Sequence, residues 1–358
     1  MTAKISIILP CYKAEKYIEN MLNDVLAQTY TDWELICVSN GAGQEAQLAI
    51  LRRYETGIGG GKIKVLSEEK GNVSNARNVG MAHATGEWLT FVDADDRLNA
   101  DHLQLLMDAV ADDWPDIVIG GYEEHRRQDD ADVKAMRVVK AGDGREALSE
   151  MMLNQPDIIP GSPCNKLIRM RFVRNSCLLF DEQLTYSEDG VFMYNLLLLT
   201  DKIRTIPLCG YRYYMGLAHN TTSRYHACME KVTREKERLR GLLMLKAGVS
   251  KEEVERRITD EQYITSYGLV CVLFRSGCPL TFGEKTAAVK RIVFDNPLMK
   301  ESMRRKVCHT HNTFLRIYDA LYATGSPWIM TAVFHIEYAA KRRFASLYNK
   351  ISASLRRR

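Results

Sequence analysis

Short apolar runs alternate with longer amphipathic stretches through the first 120 residues of this 358-residue chain, and this alternation limits the folds open to it. The runs have the length of strands, and the stretches between them repeat apolar residues at helical spacing. The predicted strands are residues 5–9, 34–38, 63–66, 88–92 and 117–119. The predicted helices are residues 18–26, a segment through 48 and 51, 74–83 and 99–111. This order predicts an α/β fold with a mostly parallel sheet and helices on both faces.

The remainder of the chain changes character twice. Residues 121–145 are polar and charged, which predicts a surface hairpin or loop, and residues 146–215 mix helices with short strands. From about Tyr225 onward the pattern is helical. The three predicted regions are residues 1–120, 121–220 and 221–358.

The net charge of +4 originates at the C-terminus. Residues 341–358 hold seven Lys and Arg and no acid, which leaves a charge of −3 on the rest of the chain. A near-neutral body without aromatic-basic interleaving or a known module argues against nucleic-acid binding.

The cysteines indicate the compartment. Nine cysteines, an odd number without any Cys-x-x-Cys pair, argue against a disulfide framework and a zinc site, and predict a reducing environment. The apolar run at residues 5–9 is too short for the core of a signal peptide, and no apolar run reaches the length of a membrane span. We therefore expect a cytoplasmic protein that does not cross a membrane.

The strongest chemical signal is a group of acids, Asp93, Asp95 and Asp96, directly after the predicted strand at residues 88–92. Open α/β sheets bind ligands at the carboxyl ends of their strands. Neighbouring carboxylates raise each other's pKa unless a cation neutralises them, and Mg²⁺ often shares such ligands with a substrate phosphate. The alternative is a solvated Asp-rich turn that caps the next helix. The motif alone leaves both interpretations open.

Five segments in a fixed order extend the argument beyond this motif. They are residues 7–12 (Ile-Ile-Leu-Pro-Cys-Tyr), 28–30 (Gln-Thr-Tyr), 71–80 (Gly-Asn-Val-Ser-Asn-Ala-Arg-Asn-Val-Gly), 84–87 (Ala-Thr-Gly-Glu) and 93–96 (Asp-Ala-Asp-Asp). Through them residues 4–215 resemble the family 2 glycosyltransferases of GT-A fold. The resemblance implies transfer of a sugar from a nucleotide-sugar donor, with inversion and with Mn²⁺ or Mg²⁺ as cofactor.

The resemblance also implies that residues 1–120 form the nucleotide-sugar-binding half of the GT-A fold. In that half Asp95 would bind the metal, and Asp93 would contact the metal or the ribose of the donor. Arg77 would reach the nucleotide, or else form an ordinary ion pair. Asp96 either assists or caps the helix that follows, and we favour the cap. The residues expected to contact the nucleotide-sugar are Pro10, Tyr12, Asn40, Arg77, Asp93 and Ala94.

An inverting transfer also needs a base for the acceptor hydroxyl, and a carboxylate can serve. Glu188 and Asp189 resemble the Glu-Asp pair of the family. This implies Asp189 as the base and Glu188 as its acceptor-binding neighbour, in an acceptor-binding half at residues 121–220. The same acids can also charge the N-terminus of the helix predicted at residues 191–199.

Two further residues have open roles. Lys166 lies in a Lys-Leu segment that resembles the family, and it either holds the base or the acceptor or bridges loops. His219 lies where related enzymes place groups over the diphosphate. It is either a third metal ligand or an exposed loop histidine.

The chain departs from the family at two places. The family's second strand typically ends Asp-Asp-Gly-Ser, with an Asp that accepts a hydrogen bond from uracil, whereas this chain has Asn40 in Val-Ser-Asn-Gly-Ala. An amide oxygen still accepts such a bond but carries no charge, which leaves the nucleotide identity open. The family's Pro-x-Tyr-Asn becomes Pro-Cys-Tyr-Lys, in which Tyr12 still offers a ring for the base and Lys13 indicates no role.

The C-terminal segment, residues 327–358, mixes apolar residues with the basic cluster. A basic amphipathic helix can lie in an anionic membrane interface, which predicts peripheral contact at the inner face of the cell membrane. The alternative is a C-terminal helix that docks on the core and leaves its basic end solvated.

These observations, with the resemblance, predict a metal-dependent inverting glycosyltransferase that moves a hexosyl or N-acetylhexosaminyl group from a UDP-sugar. The acceptor would be a glycan or a lipid-linked glycan of a bacterial surface polysaccharide. A sugar nucleotidyltransferase is one rival, but residues 10–13 lack the Gly-rich phosphate loop that it needs. The other rival is a non-catalytic glycan-binding or scaffold protein derived from a transferase. Asp93, Asp95 and Asp189 argue against it, whereas Asn40 keeps it open.

Overall fold

The computed structural model of this chain describes residues 3–110, 115–128, 131–154, 161–215, 224–305 and 313–343. The chain forms two compact units. The first unit comprises Met1–His219 and Glu235–Val249, and the second comprises Asn220–Arg234 and Ser250–Arg358.

The first unit is built on one mixed sheet. Its strands are β1 (Ile5–Cys11), β2 (Trp33–Asn40), β3 (Ile63–Glu68), β4 (Trp88–Phe91), β5 (Arg97–Leu98), β6 (Ile117–Gln128), β7 (Ala131–Arg137), β8 (Gly142–Asp143), β9 (Lys166–Arg169) and β10 (Ile203–Met215). The order along the sheet is β3-β2-β1-β4-β9-β6-β10-β5, with β7 paired to β6 and β8 to β10. Strands β3, β2, β1 and β4 are parallel to one another, as are β6 and β10. The other four strands pair in antiparallel fashion.

Helices connect most of these strands. They are α1 (Ile18–Leu26), α2 (Glu45–Arg53), α3 (Val73–His83), α4 (His102–Asp108), α5 (Gly144–Asn154), α6 (Met170–Ser176), α7 (Glu188–Leu199) and α8 (Met229–Lys246). A π-helical turn, Tyr54–Ile58, extends α2, and α8 belongs to the first unit from Glu235 onward.

The path of the chain reverses at β1. From β1 the chain steps outward to β2 and β3, and α3 then carries it back across to β4 on the other side of β1. Because crossovers between parallel strands are right-handed, α1 and α2 lie on one face of the sheet and α3 on the other, as predicted. Ligands of open α/β sheets bind at such a reversal, outside the carboxyl ends of the strands.

Strand β1 shows why the apolar runs form the centre of the sheet. All of its residues are buried, as expected for a parallel strand that is covered on both faces. Its hydroxyl residue, Ser6, donates a hydrogen bond of 2.6 Å to Glu34 Oε1 and accepts one of 2.8 Å from the Gly86 amide. The buried hydroxyl is therefore satisfied on both sides.

The α/β fold, the five predicted strands and the hairpin expected at residues 121–145 are confirmed, the hairpin as β6 and β7. Two local features differ. The helix predicted at 99–111 begins only at His102, because β5 precedes it and the Asn99 amide donates to the Gly210 carbonyl oxygen at 2.8 Å. Strand β9, which inserts antiparallel between β4 and β6, is too short to give a sequence signal.

The second unit is helical, as predicted from residue 225 onward. Its further helices are α9 (Lys251–Val272), α10 (Phe282–Val289), α11 (Pro297–Arg304), α12 (Thr313–Ala323) and α13 (Pro327–Arg343), and a π-helical turn, Lys290–Phe294, follows α10. Side chains of Ser250, Thr281 and Asn296 cap the N-termini of α9, α10 and α11. None of the helices in the described residues is long and apolar enough to cross a membrane.

Candidate active site

Five of the residues singled out in the sequence lie near the reversal of the first unit's sheet. Tyr12 follows β1, Asn40 ends β2, and Asp93 follows β4. Helix α3, which leads from β3 to β4, carries Arg77, and the N-terminus of α7 carries Glu188. The sheet thus brings the ends of three parallel strands together with one helix from each half of the predicted fold.

Arg77 is the centre of this arrangement. The residue is buried, with 4% of its surface exposed. Its Nη1 donates to Glu188 Oε1 at 2.7 Å, its Nη2 donates to Asp93 Oδ1 at 3.3 Å, and the guanidinium lies over the Phe180 ring at 5.3 Å. Burial opposes the charge, but Asp93, Glu188 and Asp189 outweigh it and raise the pKa of Arg77 above its usual value. Arg77 is therefore a permanent cation that links the Asp93 motif to the Glu188 motif.

Polar residues of α3 and its N-cap residue, Asn72, hold the segment that leads to α7. Asn78 donates to the Phe180 carbonyl oxygen and accepts from the Phe180 amide, both at 2.9 Å. Ser74 Oγ donates to the carbonyl oxygen of Asp181 at 3.0 Å, and Asn72 Nδ2 donates to that of Glu182 at 2.7 Å. The segment at residues 71–80, which the resemblance singled out, therefore fixes the approach to Glu188 through backbone contacts that sequence analysis did not assign.

The three acids after β4 have three different environments. Asp93 is partly buried, Asp95 is exposed, and Asp96 has only 2% of its surface exposed. Asp96 accepts hydrogen bonds from the Tyr211 hydroxyl at 2.5 Å and from the Tyr214 amide at 2.9 Å. The preference for Asp96 as a helix cap was wrong: Asp101 occupies the N-cap position of α4, and the Asp96 carboxylate is bound by β10 instead.

The negative charge of Asp93 disfavours ionisation of Asp95. Although the Asp95 side chain reaches the surface, the protein around its carboxyl group removes part of its hydration, and this desolvation and then the negative charge of Asp93 raise the pKa of Asp95 to about 6. Cys164 lies behind Asp93, with its Sγ 3.6 Å from Asp93 Oδ2. No group of three His, Cys, Asp or Glu side chains in the described ranges is placed to hold a metal ion, and His219 lies outside these ranges. Asp93 and Asp95 remain as a pair of carboxylates whose mutual repulsion a cation would relieve.

Asp189 is held at the first turn of α7, which begins at Glu188, slightly earlier than the helix predicted at residues 191–199. Burial and then the charge of Glu188 raise the pKa of Asp189 to about 6, while Arg77 and Lys236 oppose the rise. The Gly190 amide donates to Asp189 Oδ1 at 2.7 Å. A carboxyl with this pKa changes its protonation near neutral pH, which suits a general base.

Lys236, on α8, is a neighbour of Asp189 that sequence analysis missed. Its Nζ donates a 2.8 Å hydrogen bond to Ser187 Oγ, directly before Glu188 and Asp189. No sequence signal pointed to it, because α8 lies in a region without a recognisable motif.

Lys166 has no exposed surface. Its Nζ donates to Asn165 Oδ1 at 3.0 Å and to the Cys164 carbonyl oxygen at 3.4 Å. Asn165 has a φ of 55°, in the left-handed region that is costly for residues other than glycine. These contacts favour a role in bridging the loop, and the role of Lys166 toward the acceptor stays a prediction.

The predicted nucleotide contacts form a small platform. Tyr12 is 54% exposed, and its ring lies over Gly41, where a Cβ would approach Tyr12 Cε2 to 2.9 Å. Asn40 is 2% exposed, and its buried Oδ1 has no hydrogen-bond partner among the described residues. Pro10 and Ala94 are buried. An exposed aromatic ring beside an unsatisfied amide oxygen fits a ligand that stacks and donates a hydrogen bond.

Gln47 holds this platform, and sequence analysis did not assign it. The side chain is fully buried on α2. Its Oε1 accepts from the Ala14 amide at 2.9 Å, and its Nε2 donates to the Cys11 carbonyl oxygen at 3.1 Å and to Ser39 Oγ at 2.8 Å. Gln47 therefore ties the end of β1 to the end of β2, on either side of the platform.

Part of this chain is similar in sequence to known proteins. Residues 6–175, just under half of the chain, match the model of Glycosyl transferase family 2. The chain is 29% identical over 196 residues to the uncharacterized glycosyltransferase EpsJ of Bacillus subtilis, covering 54% of this chain and 55% of EpsJ. It is 28% identical over 221 residues to the poly(ribitol-phosphate) beta-N-acetylglucosaminyltransferase TarS of Staphylococcus aureus, covering 59% of this chain and 35% of TarS.

Solved structures extend the likeness beyond the matched segment. A structure of S. aureus TarS residues 1–349 in complex with UDP-GlcNAc superposes with a TM-score of 0.59 at 20% identity, covering 85% of this chain and 92% of that one. The same part of TarS in complex with UDP gives a TM-score of 0.55 at 19% identity, covering 85% of this chain and 88% of that chain. At this identity the likeness establishes a shared fold. The chain spans about half of the length of EpsJ and about a third of TarS.

Proposed function

We propose that this protein is an inverting glycosyltransferase that moves a sugar from a nucleotide-sugar, preferentially a UDP-sugar, to a glycan or lipid-linked acceptor. The observation that carries the proposal is the buried Arg77, which contacts both Asp93 and Glu188. One cation thereby joins the acids at the end of β4, which suit a diphosphate donor, to the helix that holds Asp189. A purely structural ion pair would not require both motifs at the carboxyl edge of the sheet.

The donor base would stack on Tyr12 and donate a hydrogen bond to the unsatisfied Asn40 Oδ1. Uracil presents a ring imide N–H that an amide oxygen can accept. The TarS structures with UDP and UDP-GlcNAc, which share this fold, support uridine as the base. The TarS acceptor, a poly(ribitol-phosphate), and the diphosphoundecaprenol-linked substrate in the name of Escherichia coli WfgD (31% identical over 121 residues) support a cell-surface glycan acceptor.

Asp93 and Asp95 fit a divalent metal, Mn²⁺ or Mg²⁺, that is shared with the donor. Mg²⁺ is commonly held by one or two carboxylates together with substrate phosphates, so two acids are sufficient. Such a metal, when bound, supplies Lewis-acid neutralisation of the diphosphate leaving group. The pKa of about 6 at Asp95, which follows from lost water and the charge of Asp93, is the electrostatic reason that a cation is favoured there.

Asp189 would act as the base. The acceptor hydroxyl oxygen attacks the anomeric carbon, its proton passes to the Asp189 carboxylate, and the nucleoside diphosphate leaves from the opposite face. The base works only when deprotonated, so transfer is favoured above a pH of about 6. Glu188 is committed to Arg77, so its part in acceptor binding is secondary to holding that cation.

The test of the proposed function is donor turnover. Purified protein with Mn²⁺ is incubated with UDP-glucose, UDP-galactose, UDP-GlcNAc and UDP-GalNAc, and release of UDP is followed with water as the acceptor and with a panel of short glycans. We expect the wild-type protein to release UDP from one of these donors and the Asp189→Asn variant to release none. Binding of UDP without turnover of any donor would favour the non-catalytic scaffold.

Replacing Asn40 with Ala should weaken the binding of UDP. The variant loses the acceptor proposed for the base, which corresponds to about 1–2 kcal/mol, or a rise in Kd of about 5- to 30-fold. Calorimetric titration with UDP and Mn²⁺ measures this Kd. Asn23→Ala, on α1 outside the crevice, is the control and should leave the Kd unchanged; equal Kd values for wild type and Asn40→Ala would remove Asn40 from the donor site.

Replacing Asp95 with Ala should abolish the dependence of UDP binding on Mn²⁺. One of the two carboxylates of the proposed metal site is then missing, and a single carboxylate holds a divalent ion weakly. Titration of UDP with and without Mn²⁺ in both proteins is the measurement. If Mn²⁺ tightens UDP binding equally in the variant, Asp95 is not a metal ligand.

We also propose that α13 contacts an anionic membrane from the cytoplasmic side. Its exposed residues include Trp328 (62%), Ile329 (39%) and Ile336 (67%), and the helix ends in three basic residues, Lys341, Arg342 and Arg343. Apolar residues that insert at a lipid interface, beside cations that contribute about 1 kcal/mol each, are the elements of an interfacial helix.

Deleting residues 341–358 should therefore release the protein from anionic vesicles. The deletion removes all seven basic residues of the C-terminus. Flotation with phosphatidylglycerol-containing vesicles is the measurement, and vesicles of phosphatidylcholine alone are the control. Flotation that the deletion leaves unchanged would mean that this segment does not hold the protein at the membrane.

A further inference from the structure

Helix α8 contacts both ends of α7 through two lysines. Lys246 Nζ donates to the carbonyl oxygens of Leu197 at 3.0 Å, Leu198 at 3.0 Å and Thr200 at 2.6 Å, at the C-terminus of α7. Lys236 Nζ donates to Ser187 Oγ at the N-terminus of α7. Ten residues of helix rise about 15 Å, which matches the distance along α7 between the two contacts. The two helices therefore run side by side in the same direction.

The contact at the N-terminal end falls on the turn that carries the proposed base. Ser187 has a φ of 55°, a conformation that residues other than glycine adopt at a cost and that surrounding contacts must hold. The Lys236 side chain also crosses Gly190, where a Cβ would lie 3.0 Å from Lys236 Cε and 3.2 Å from its Nζ. Lys236 therefore contacts the residues on both sides of Glu188 and Asp189.

The charged groups around Asp189 indicate why Lys236 is needed there. The groups that act on Asp189 are Glu188, Arg77 and Lys236, with Arg240 acting on Lys236 from one turn along α8. Arg77 is already bound by two carboxylates, those of Asp93 and Glu188. The group therefore contains two cations, Arg77 and Lys236, and three carboxylates. Asp189 is the carboxylate that Arg77 does not bind.

We propose that Lys236 is a positioning residue of the transfer reaction: it holds the turn at residues 187–190 in place and provides the positive charge that keeps Asp189 ionised. This inference rests on the proposed function, in which Asp189 takes the proton of the acceptor. It assigns a role to α8, which lies beyond residues 6–175 that match the family model. Burial lowers the pKa of Lys236, and the opposite charge of Asp189 limits that effect.

The experiment compares Lys236→Met with Lys246→Met. Both changes remove one lysine of the same helix from one end of α7, so both should lower the melting temperature. Only Lys236→Met should raise the pKa of the Asp189 carboxyl, by about one pH unit, because a nearby opposite charge lowers a carboxyl pKa by about that much or more. Lys236→Arg keeps the charge and should remain close to wild type.

Two readouts separate this inference from the proposed function. The first is a ¹³C NMR titration of full-length protein labelled at the aspartate carboxyl carbons, in which Asp189→Asn identifies the Asp189 signal. The second is the pH profile of kcat/KM for donor turnover, whose acidic limb should move to higher pH in Lys236→Met alone.

An Asp189 titration that is identical in wild type and Lys236→Met would overturn the role of Lys236, whether or not the protein transfers sugar. A titration that moves equally in Lys246→Met would also overturn it, because the effect would then belong to the loss of a helix contact. A titration that moves only in Lys236→Met, in a protein that turns over no donor, would support the contact and refute the proposed function.

Discussion

Replacing Arg77 with Ala is expected to lower the free energy of unfolding by about 3–5 kcal/mol, because removing one partner of a buried ion pair leaves an uncompensated buried charge. Here the loss strands Glu188, which has 8% of its surface exposed, and also removes the contact of Asp93. The segment that leads to α7 also loses a contact, because the guanidinium lies over the Phe180 ring. Urea unfolding of both proteins at pH 7 measures the difference.

Arg53→Ala is the matched control for this prediction. Arg53 pairs with Glu19 at the surface of the first unit, where both side chains are about half exposed. A surface pair of this kind contributes at most about 1 kcal/mol. Equal losses in Arg77→Ala and Arg53→Ala would mean that Arg77 is not the link between the two motifs.

A second variant identifies which carboxylate is stranded. Adding Glu188→Gln to Arg77→Ala removes the uncompensated charge, so the double variant should recover part of the stability that Arg77→Ala loses. The interaction energy from this double-mutant cycle should therefore be non-zero. An additive result would place the loss elsewhere, in Asp93 or in packing against Phe180.

Replacing Asp189 with Asn is expected to lower kcat by about 10²- to 10⁴-fold, the usual contribution of a general base, with little change in the KM of the donor. The amide cannot take the acceptor proton, whereas none of the contacts proposed for the donor involves Asp189. The steady-state rate with the donor and acceptor identified by turnover is the measurement. A variant with normal kcat would reassign the base.

The pH dependence of the rate tests the same prediction in a second way. Burial and Glu188 raise the pKa of Asp189 to about 6, so the wild-type rate should rise with pH through about 6 and then level off. Asp189→Asn should lose this limb. Asp201→Asn, just beyond the other end of α7, removes an exposed acid and should keep both the rate and the limb.

The folding energetics argue against an indirect loss of activity in Asp189→Asn. A carboxyl whose pKa is raised by burial is disfavoured as an anion in the folded state, so above pH 6 its charge lowers the stability of the fold. The neutral amide removes this cost. Because the raised pKa already includes the opposing effects of Arg77 and Lys236, we expect Asp189→Asn to melt no lower than wild type at pH 7.

The sequence predicted the part of the site whose residues stand at the ends of strands. Tyr12, Asn40 and Asp93 each follow or end an apolar run, and parallel strands necessarily gather their carboxyl ends at one edge. The resemblance singled out Tyr12 and Asn40, and the alternation of strands and helices explains why they lie at the same edge of the sheet as Asp93. Arg77 was predicted from the resemblance, and the structure adds that its two terminal nitrogens hold carboxylates.

The sequence did not predict contacts between elements that are far apart in the chain. Asp96 looked like a helix cap because Asp is common there, but the Tyr211 hydroxyl from β10 lies 2.5 Å from its Oδ2. Lys236 and Gln47 gave no signal, because a lysine or glutamine on a helix is ordinary until the fold brings it against a turn. Such roles depend on tertiary packing, which neither periodicity nor local propensity encodes.

The proposed function requires that the edge formed by β1, β2 and β4 binds a nucleotide donor together with a divalent metal. A thermal-shift comparison of UDP, GDP, CDP and ADP, each with and without Mn²⁺, tests this requirement directly. A ligand that binds the folded state raises the melting temperature by mass action. We predict that UDP with Mn²⁺ raises it most and that UDP without Mn²⁺ raises it little. A melting temperature that none of the four nucleotides changes, with or without Mn²⁺, would contradict the account.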